Sequence, residues 1–396
     1  MHPKAPASSG AQLLQANHEK ARYAVRIGVH RIAMSNPGDT AGLKRLIESG
    51  VLDPATIVCS IGKTEGNGGA NDFTRALATL RFSDVIGRYR NVPSDQVSEE
   101  VAFVWSGGCE GVISPHATIF TREEDAAAPA AAGGVPGGGR LALSVQRTRD
   151  FLPEEVGRLP EIEAVAEATR RGLADLGVDD PADVHLVQVK GPLLTPAAIA
   201  DAARRGARVV TEDPNRSKAH ARGATALGVA IGLGELAASD VDEAMVANDL
   251  DRFSSVASTS AGGELTSCEV ILLANSPSAT STFRIGHSLL RDAVDLPAVC
   301  SALRSAGLAI DCLPDEEQRT RVAAVFAKAE APLAGMLRGQ RTTMLSDADI
   351  NYERHARAAV GAVITAVTGD ARVFVSGGTE HQGPPGCAPI ATIVAC

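Results

Sequence analysis

Ser376-Gly377-Gly378-Thr379-Glu380-His381-Gln382-Gly383 follows the short apolar run Ala371-Arg372-Val373-Phe374-Val375. The chain repeats nearly the same phrase twice. Phe103-Val104-Trp105 leads into Ser106-Gly107-Gly108-Cys109-Glu110, and a looser copy reads Ser260-Ala261-Gly262-Gly263-Glu264. The shared pattern is Ser-(Gly/Ala)-Gly-x-Glu. One copy after a strand is a turn. Three copies, one per third of the chain, present three serines to one place.

Working outward from each serine, the same order of elements recurs. The first third reads as a strand at 25–29, a helix capped by Asp39 and a strand at 56–61 that reaches Lys63. A helical stretch with Arg75, a strand at 99–105 and a return at 111–120 carrying His116 follow. The second third has a strand at 141–145, a helix at 161–171, a strand at 184–189 ending at Lys190, and a helix at 196–205. Arg222 then precedes a helix at 224–232, residues 254–259 lead to Ser260, and 269–273 return. The last third has a strand at 283–287, a helix at 296–305 and a strand at 322–327 ending at Lys328. A helix at 348–367 with Arg354 and Arg357, the strand into Ser376 and a return at 390–394 complete it.

Lys63 to Lys190 is 127 residues (190 − 63) and Lys190 to Lys328 is 138 (328 − 190), so the repeats are domain-sized rather than solenoidal. The expected fold class is α/β, with three similar units at 25–124, 140–277 and 278–396. They are set in a pseudo-threefold arrangement with their sheets facing a central site. Residues 1–24, mildly helical at 12–22, read as an N-terminal extension. The Ala/Gly/Pro run within 125–139 reads as a flexible linker.

Composition narrows the partners. The 396 residues carry a net charge of −9 with no basic run, which argues against nucleic acid and anionic membrane. No stretch reaches the roughly 18–20 apolar residues of a membrane span. The N-terminus lacks a signal-peptide layout, so the expected location is cytoplasmic. Seven scattered cysteines form no C-x-x-C pair, against a zinc knuckle and for reduced thiols. Cys387 and Cys396, near the C-terminus, leave an inter-chain or regulatory disulfide open. His116, His185, His287 and His381 show no metal-ligand spacing. Gly62-Lys63-Thr64 lacks the first glycine of a phosphate loop, whose place Ile57 takes.

The repeated residues suggest acyl transfer. A serine hydroxyl becomes a nucleophile when a base takes its proton, and a lysine whose pKa is lowered by burial and neighbouring cations can be that base. Lys63, Lys190 and Lys328 converging on one axis would lower one another. The small residues after each serine leave backbone N–H groups free for a carbonyl oxygen. Arg75, Arg222 and Arg357 suit the oxygens of a flat ligand. Singly, a strand-end lysine is a solvated charge; the threefold co-occurrence of Lys, Arg and Ser is the signal.

These residues resemble the cyanuric acid hydrolase/barbiturase family of ring-opening cyclic amide hydrolases. The resemblance runs from about residue 25 to the C-terminus. It rests on Gly62-Lys63-Thr64-Glu65-Gly66-Asn67-Gly68, Val187-Gln188-Val189-Lys190 with Pro192-Leu193-Leu194-Thr195, Phe326-Ala327-Lys328-Ala329-Glu330-Ala331 and Glu380-His381-Gln382-Gly383-Pro384. It implies hydrolytic ring opening of a cyclic amide substrate through an acyl-enzyme, in a homotetramer. It implies the pairs Ser106–Lys63, Ser260–Lys190 and Ser376–Lys328, with Ser260 the nucleophile and Lys190 its base. Gly107, Ala261 and Gly377 would line the substrate with the three arginines. No cofactor is implied for catalysis; a structural Mg²⁺-type ion is, held by Glu330 and Gln382. Tyr352-Glu353 before Arg354 and the run 215–220 before Arg222 depart from the family's usual residues, as does Pro384-Pro385-Gly386-Cys387-Ala388 near the expected ion. The departures keep open a different cyclic imide as substrate. They also leave open a non-catalytic or redox-responsive binding protein on the same fold.

Overall fold

The computed structural model describes residues 23–129 and 138–396. The helical stretch read at 12–22 and residues 130–137 of the linker lie outside them. The first unit comprises β1 (Tyr23–Ala33), α1 (Ala41–Glu48), β2 (Ile57–Thr64), α2 (Thr74–Arg90), α3 (Ser94–Glu100), β3 (Ala102–Gly107) and β4 (His116–Pro129). The second comprises β5 (Arg140–Arg147), α4 (Leu159–Leu176), β6 (Val184–Pro192), α5 (Pro196–Arg204), α6 (Pro214–Gly232), β7 (Ala257–Gly262) and β8 (Glu269–Ser276). The third comprises β9 (Phe283–Leu290), α7 (Leu296–Ser305), β10 (Val322–Ala329), α8 (Tyr352–Thr368), β11 (Phe374–Gly377) and β12 (Ala388–Ala395).

Each unit has a four-stranded sheet with its own strands in the order first, fourth, second, third. The second and third strands are parallel; the others pair antiparallel. Successive side chains on a strand point to opposite faces, so each sheet can serve two cores. On the inner faces Ile61 and Val104, Leu143 and Leu186, Phe326 and Phe374 share one central cluster. Phe326 joins the first and third sheets, its ring 6.2 Å from Phe120 and 6.0 Å from Phe374. The outer faces are covered by helices: Phe103 and Trp105 by α2, Val187 and Val189 by α4 and α6, Val325 and Val375 by α7 and α8. The expected α/β fold of three inward-facing sheets is therefore the observed one.

The inner face positions the site. Two residues beyond Ile61, Val104, Phe326 and Phe374 come Lys63, Ser106, Lys328 and Ser376, on the same side of their strands. Lys190 and Ser260 end the same face in the second unit, but above Gln188 and Ser258, whose side chains bond each other at 2.8 Å.

Several element boundaries differ from the sequence reading. β3 begins at Ala102, because 94–100 forms the helix α3. β4 starts at His116, and Gly111, at φ +62°, lies in the loop before it. β4 then runs to Pro129, into the Ala-rich segment read as linker, because it pairs with β1 as far as Tyr23. α8 starts at Tyr352, with Asn351 accepting from Glu353 N–H at its N-terminus. Arg222 lies inside α6 rather than before it. Asp213 caps that helix by accepting from Asn215 and Arg216 N–H, and Pro214 opens it.

Candidate active site

In each parallel pair the register sets lysine opposite serine: Lys63 against Ser106, Lys190 against Ser260, Lys328 against Ser376. All three lysines are buried. Lys63 Nζ donates to Ser106 Oγ at 3.0 Å, and Lys328 Nζ to Ser376 Oγ at 2.8 Å. Ser260 is different. Its Oγ is shielded from solvent and has no hydrogen-bond partner among the described residues.

Each lysine also reaches into a neighbouring unit, at the carbonyl immediately before that unit's serine. Lys63 Nζ donates to Val375 O at 2.7 Å, Lys190 Nζ to Trp105 O at 3.1 Å and Lys328 Nζ to Thr259 O at 2.6 Å. The arginines close a second ring in the opposite sense. Arg75 Nε donates to Glu264 Oε1 at 2.9 Å, Arg222 forks onto Glu380 at 2.7 and 2.7 Å, and Arg357 forks onto Glu110 at 2.9 and 2.6 Å. These glutamates are the fourth residue after each serine, so the repeated motif holds its neighbour's arginine. Arg354 lies half exposed, 3.5 Å from Glu110.

The charge state follows from this packing. Burial, then Arg357, holds Lys63 down at about 8. Burial also holds Lys190 at about 8, with Arg75 lowering it and Glu264, 3.5 Å away, opposing the shift. Burial and then Arg222 push Lys328 well below the ordinary lysine range. Burial raises the Glu264 carboxyl, but Lys190 and Arg75 outweigh it and leave it below its usual range.

The small residues after the serines make room for buried charge. A Cβ on Gly107 would lie 1.8 Å from Asp72 Oδ2, and one on Gly377 would lie 2.8 Å from Arg357 Nη1 and 3.1 Å from Glu353 Cβ. Gly378, at φ +80°, packs against the Arg222 guanidinium. The expectation of free N–H groups on both following residues is too broad. Gly108 N–H donates to Thr64 O at 2.8 Å and Gly378 N–H to Ala329 O at 3.2 Å.

Sequence reasoning missed Asp72 and the roles of Lys218 and Glu353. Asp72 lies 3.5 Å from Arg75 and accepts from Gly68 N–H. Glu353 lies 3.2 Å from Arg222, 3.7 Å from Lys218 and 3.7 Å from Arg357. Burial raises its pKa, but Arg222, Lys218, Arg357 and Lys328 outweigh it and bring it to about 2. Spacing was the signal: each acid lies three or four residues before an arginine, Glu353 in the first turn of α8 and Asp72 just ahead of α2.

Of the two residues expected to hold an ion, Glu330 fits one. It is half-buried, makes no ion pair among the described residues, accepts from Ala331 and Thr379 N–H at 3.0 Å each, and burial followed by Glu380 pushes its pKa up. Gln382 fits less well as arranged, since its Oε1 accepts from Thr259 N–H at 2.8 Å. No disulfide links any two of the seven cysteines within the chain.

A pseudo-threefold α/β shell of inward-facing lysines, serines and arginines defines the class of protein. The profile described as "amidohydrolase ring-opening protein" matches residues 28–395, and the chain belongs to that family. A cyclic amide hydrolase of Azorhizobium caulinodans is 62% identical over 370 residues, covering 93% of this chain and 100% of that one. A cyanuric acid amidohydrolase of Enterobacter cloacae is 47% identical over 366 residues, covering 92% and 98%. A solved cyanuric acid hydrolase, described as an evolutionary innovation by structural concatenation, superposes with a TM-score of 0.88 at 47% identity over 94% of this chain and 100% of that one. The cyanuric acid hydrolase structure from A. caulinodans gives 0.84 at 39% identity, covering 94% and 99%.

Proposed function

We infer that the chain opens the ring of a cyclic amide or imide by hydrolysis, with Ser260 as nucleophile and Lys190 as its base. The observation that carries this is the unpartnered Ser260 Oγ opposite a buried lysine held at about 8. Ser260 Oγ attacks a ring carbonyl carbon as neutral Lys190 takes the hydroxyl proton. The tetrahedral intermediate collapses, the ring C–N bond breaks, and the nitrogen leaves with the proton held by Lys190. Water then adds to the serine ester while Lys190 takes and returns a proton. This frees Ser260 and a chain with a new carboxyl end.

The other two serines suit binding. A serine oxygen that accepts from its lysine keeps its own hydrogen to donate, so Ser106 and Ser376 would each hold a ring oxygen, beside Gly107 and Gly377. Arg75, Arg222 and Arg357 set the positive potential around the ring. An ion at Glu330 would offset the repulsion from Glu380 and act on structure alone. The proposed assembly is a homotetramer, which light scattering checks.

The contacts Lys63–Ser106 at 3.0 Å and Lys328–Ser376 at 2.8 Å favour a second reading, with Ser106 or Ser376 as nucleophile. Two measurements decide. Purified protein is given cyanuric acid and barbituric acid separately, and the loss of ring ultraviolet absorbance is followed. Turnover of either supports the reaction; folded protein inert to both and to a panel of other cyclic imides overturns it. Mass spectrometry of the quenched acyl-enzyme places the adduct on the Ser260, the Ser106 or the Ser376 peptide.

A further inference from the structure

Between the second and third units lies a cleft of about 400 Å³, lined among others by Asn215, Lys218, His220, Arg222, Tyr352 and Glu353. Here the threefold pattern breaks. Against the glycine after the serine, the first unit packs Asp72 and the third packs Glu353. In the second unit that glycine is Ala261, and the residue four before the arginine is Lys218.

Lys218 is left short of acceptors. Its side chain is 17% exposed, and among the described residues its one ion pair is Glu353 Oε2 at 3.7 Å and it makes no hydrogen bond. Glu353 is shared with Arg222 and Arg357, which hold Glu380 and Glu110 as well. Lys218 therefore has three donors and part of one carboxylate, on a side chain that is largely but not fully withdrawn from solvent. Arg222 forms the wall between this cleft and the ring site. It lines the cleft, and Gly378, two residues after Ser376, packs against its guanidinium.

We propose that the cleft is a second substrate subsite that receives an anionic arm carried by the ring, with a carboxylate anchored by Lys218. The substrate class is then a cyclic amide or imide bearing a carboxylate substituent rather than a bare ring. This rests on the ring-opening reading above. Around Lys218 stand Arg222, Arg357, Glu353, Glu380 and His220. Burial, opposed by Glu353 and followed by Arg222 and Arg357, holds its pKa down, and an arriving carboxylate would favour the charged ammonium again.

The test compares an isocyanurate ring carrying an N-carboxymethyl arm with one carrying an N-propyl arm of the same reach. Turnover and calorimetric binding are followed in parallel. The wild-type KM for the acidic ring is expected about tenfold or more below that for the neutral one, the effect of one charge-assisted hydrogen bond. Lys218→Met and Lys218→Gln bring the ratio near one, and Lys218→Arg keeps most of it. Equal KM values in the wild type, or a preference that survives Lys218→Met, overturn the subsite. No turnover of either ring, with acidic-ring binding that is lost in Lys218→Met, sinks the ring-opening reading and leaves the subsite standing. Neither turnover nor binding of the acidic ring overturns the subsite as well.

Discussion

The Lys63–Ser106 and Lys328–Ser376 pairs are closed by hydrogen bonds, whereas Lys190 and Ser260 face each other in the same register with the serine oxygen unpartnered. The surroundings differ in step. Beneath the closed pairs the inner face is apolar, with Ile61 and Val104 or Phe326 and Phe374; beneath the open pair it is the hydrogen-bonded Gln188 and Ser258. Of the three lysines, Lys190 has a carboxylate within ion-pair distance among the described residues, Glu264 at 3.5 Å. A threefold frame thus delivers three equivalent Lys–Ser sets, and local chemistry makes them unequal. A serine that accepts from lysine is a donor toward a ligand. A serine whose oxygen is unengaged keeps its lone pairs for attack.

The largest effect should break this comparison most directly. Ser260→Ala is expected to lower kcat by about 10⁴-fold or more, as loss of a nucleophile does. Ser106→Ala and Ser376→Ala should cost about 10²–10³-fold, the loss of one donor to a developing oxyanion. Equal losses at all three serines, measured by ultraviolet turnover, would erase the distinction.

The pH profile sharpens it. The base must be neutral, so kcat/KM should rise with pH through about 8 as Lys190 loses its proton. Glu264 favours the charged amine, so Glu264→Gln should move that limb to lower pH. A limb that stays in place would detach the profile from Lys190.

Stability separates the units more modestly. Gly107→Ala forces a Cβ onto Asp72 and should destabilise by about 1–3 kcal/mol. The matching Ala261→Gly should cost under about 1 kcal/mol, chiefly through unfolded-chain entropy. Thermal unfolding of the two variants checks the ordering.

A last expected effect is on the pH dependence of folding. Lys63 and Lys190 titrate near 8 in the fold, against 10.5 ordinarily. Between those values the unfolded chain binds more protons, so stability should increase as pH rises from about 8 to 10.5. Lys190→Met should remove part of that slope while abolishing turnover. A denaturant midpoint series across this range reads it.

Much of this was legible in the chain. The Ser-(Gly/Ala)-Gly-x-Glu phrases, the strand-end lysines and the domain-sized spacing gave three α/β units, because period-2 alternation places residues on a face without knowledge of the partner. The start of α6 was readable from Asp213-Pro214 but was passed over in favour of the apolar run after Arg222. β4 could not be bounded from composition, since pairing with β1 carries it through alanines to Pro129.

What the sequence determined by itself was therefore the inventory: which lysines, serines and arginines recur, and that they end inner-face strands. The tertiary structure decided the connections between units. Lys63 meets the carbonyl before Ser376, Arg222 meets Glu380, and Lys218 meets Glu353 across a cleft. Hydrogen bonds and ion pairs act over a few ångströms, and these partners lie 135 or more residues apart in the chain (353 − 218 = 135 for the nearest). Only the closing of three sheets around one core brings them within that range and leaves Ser260, of the three motif serines, without a partner among the described residues.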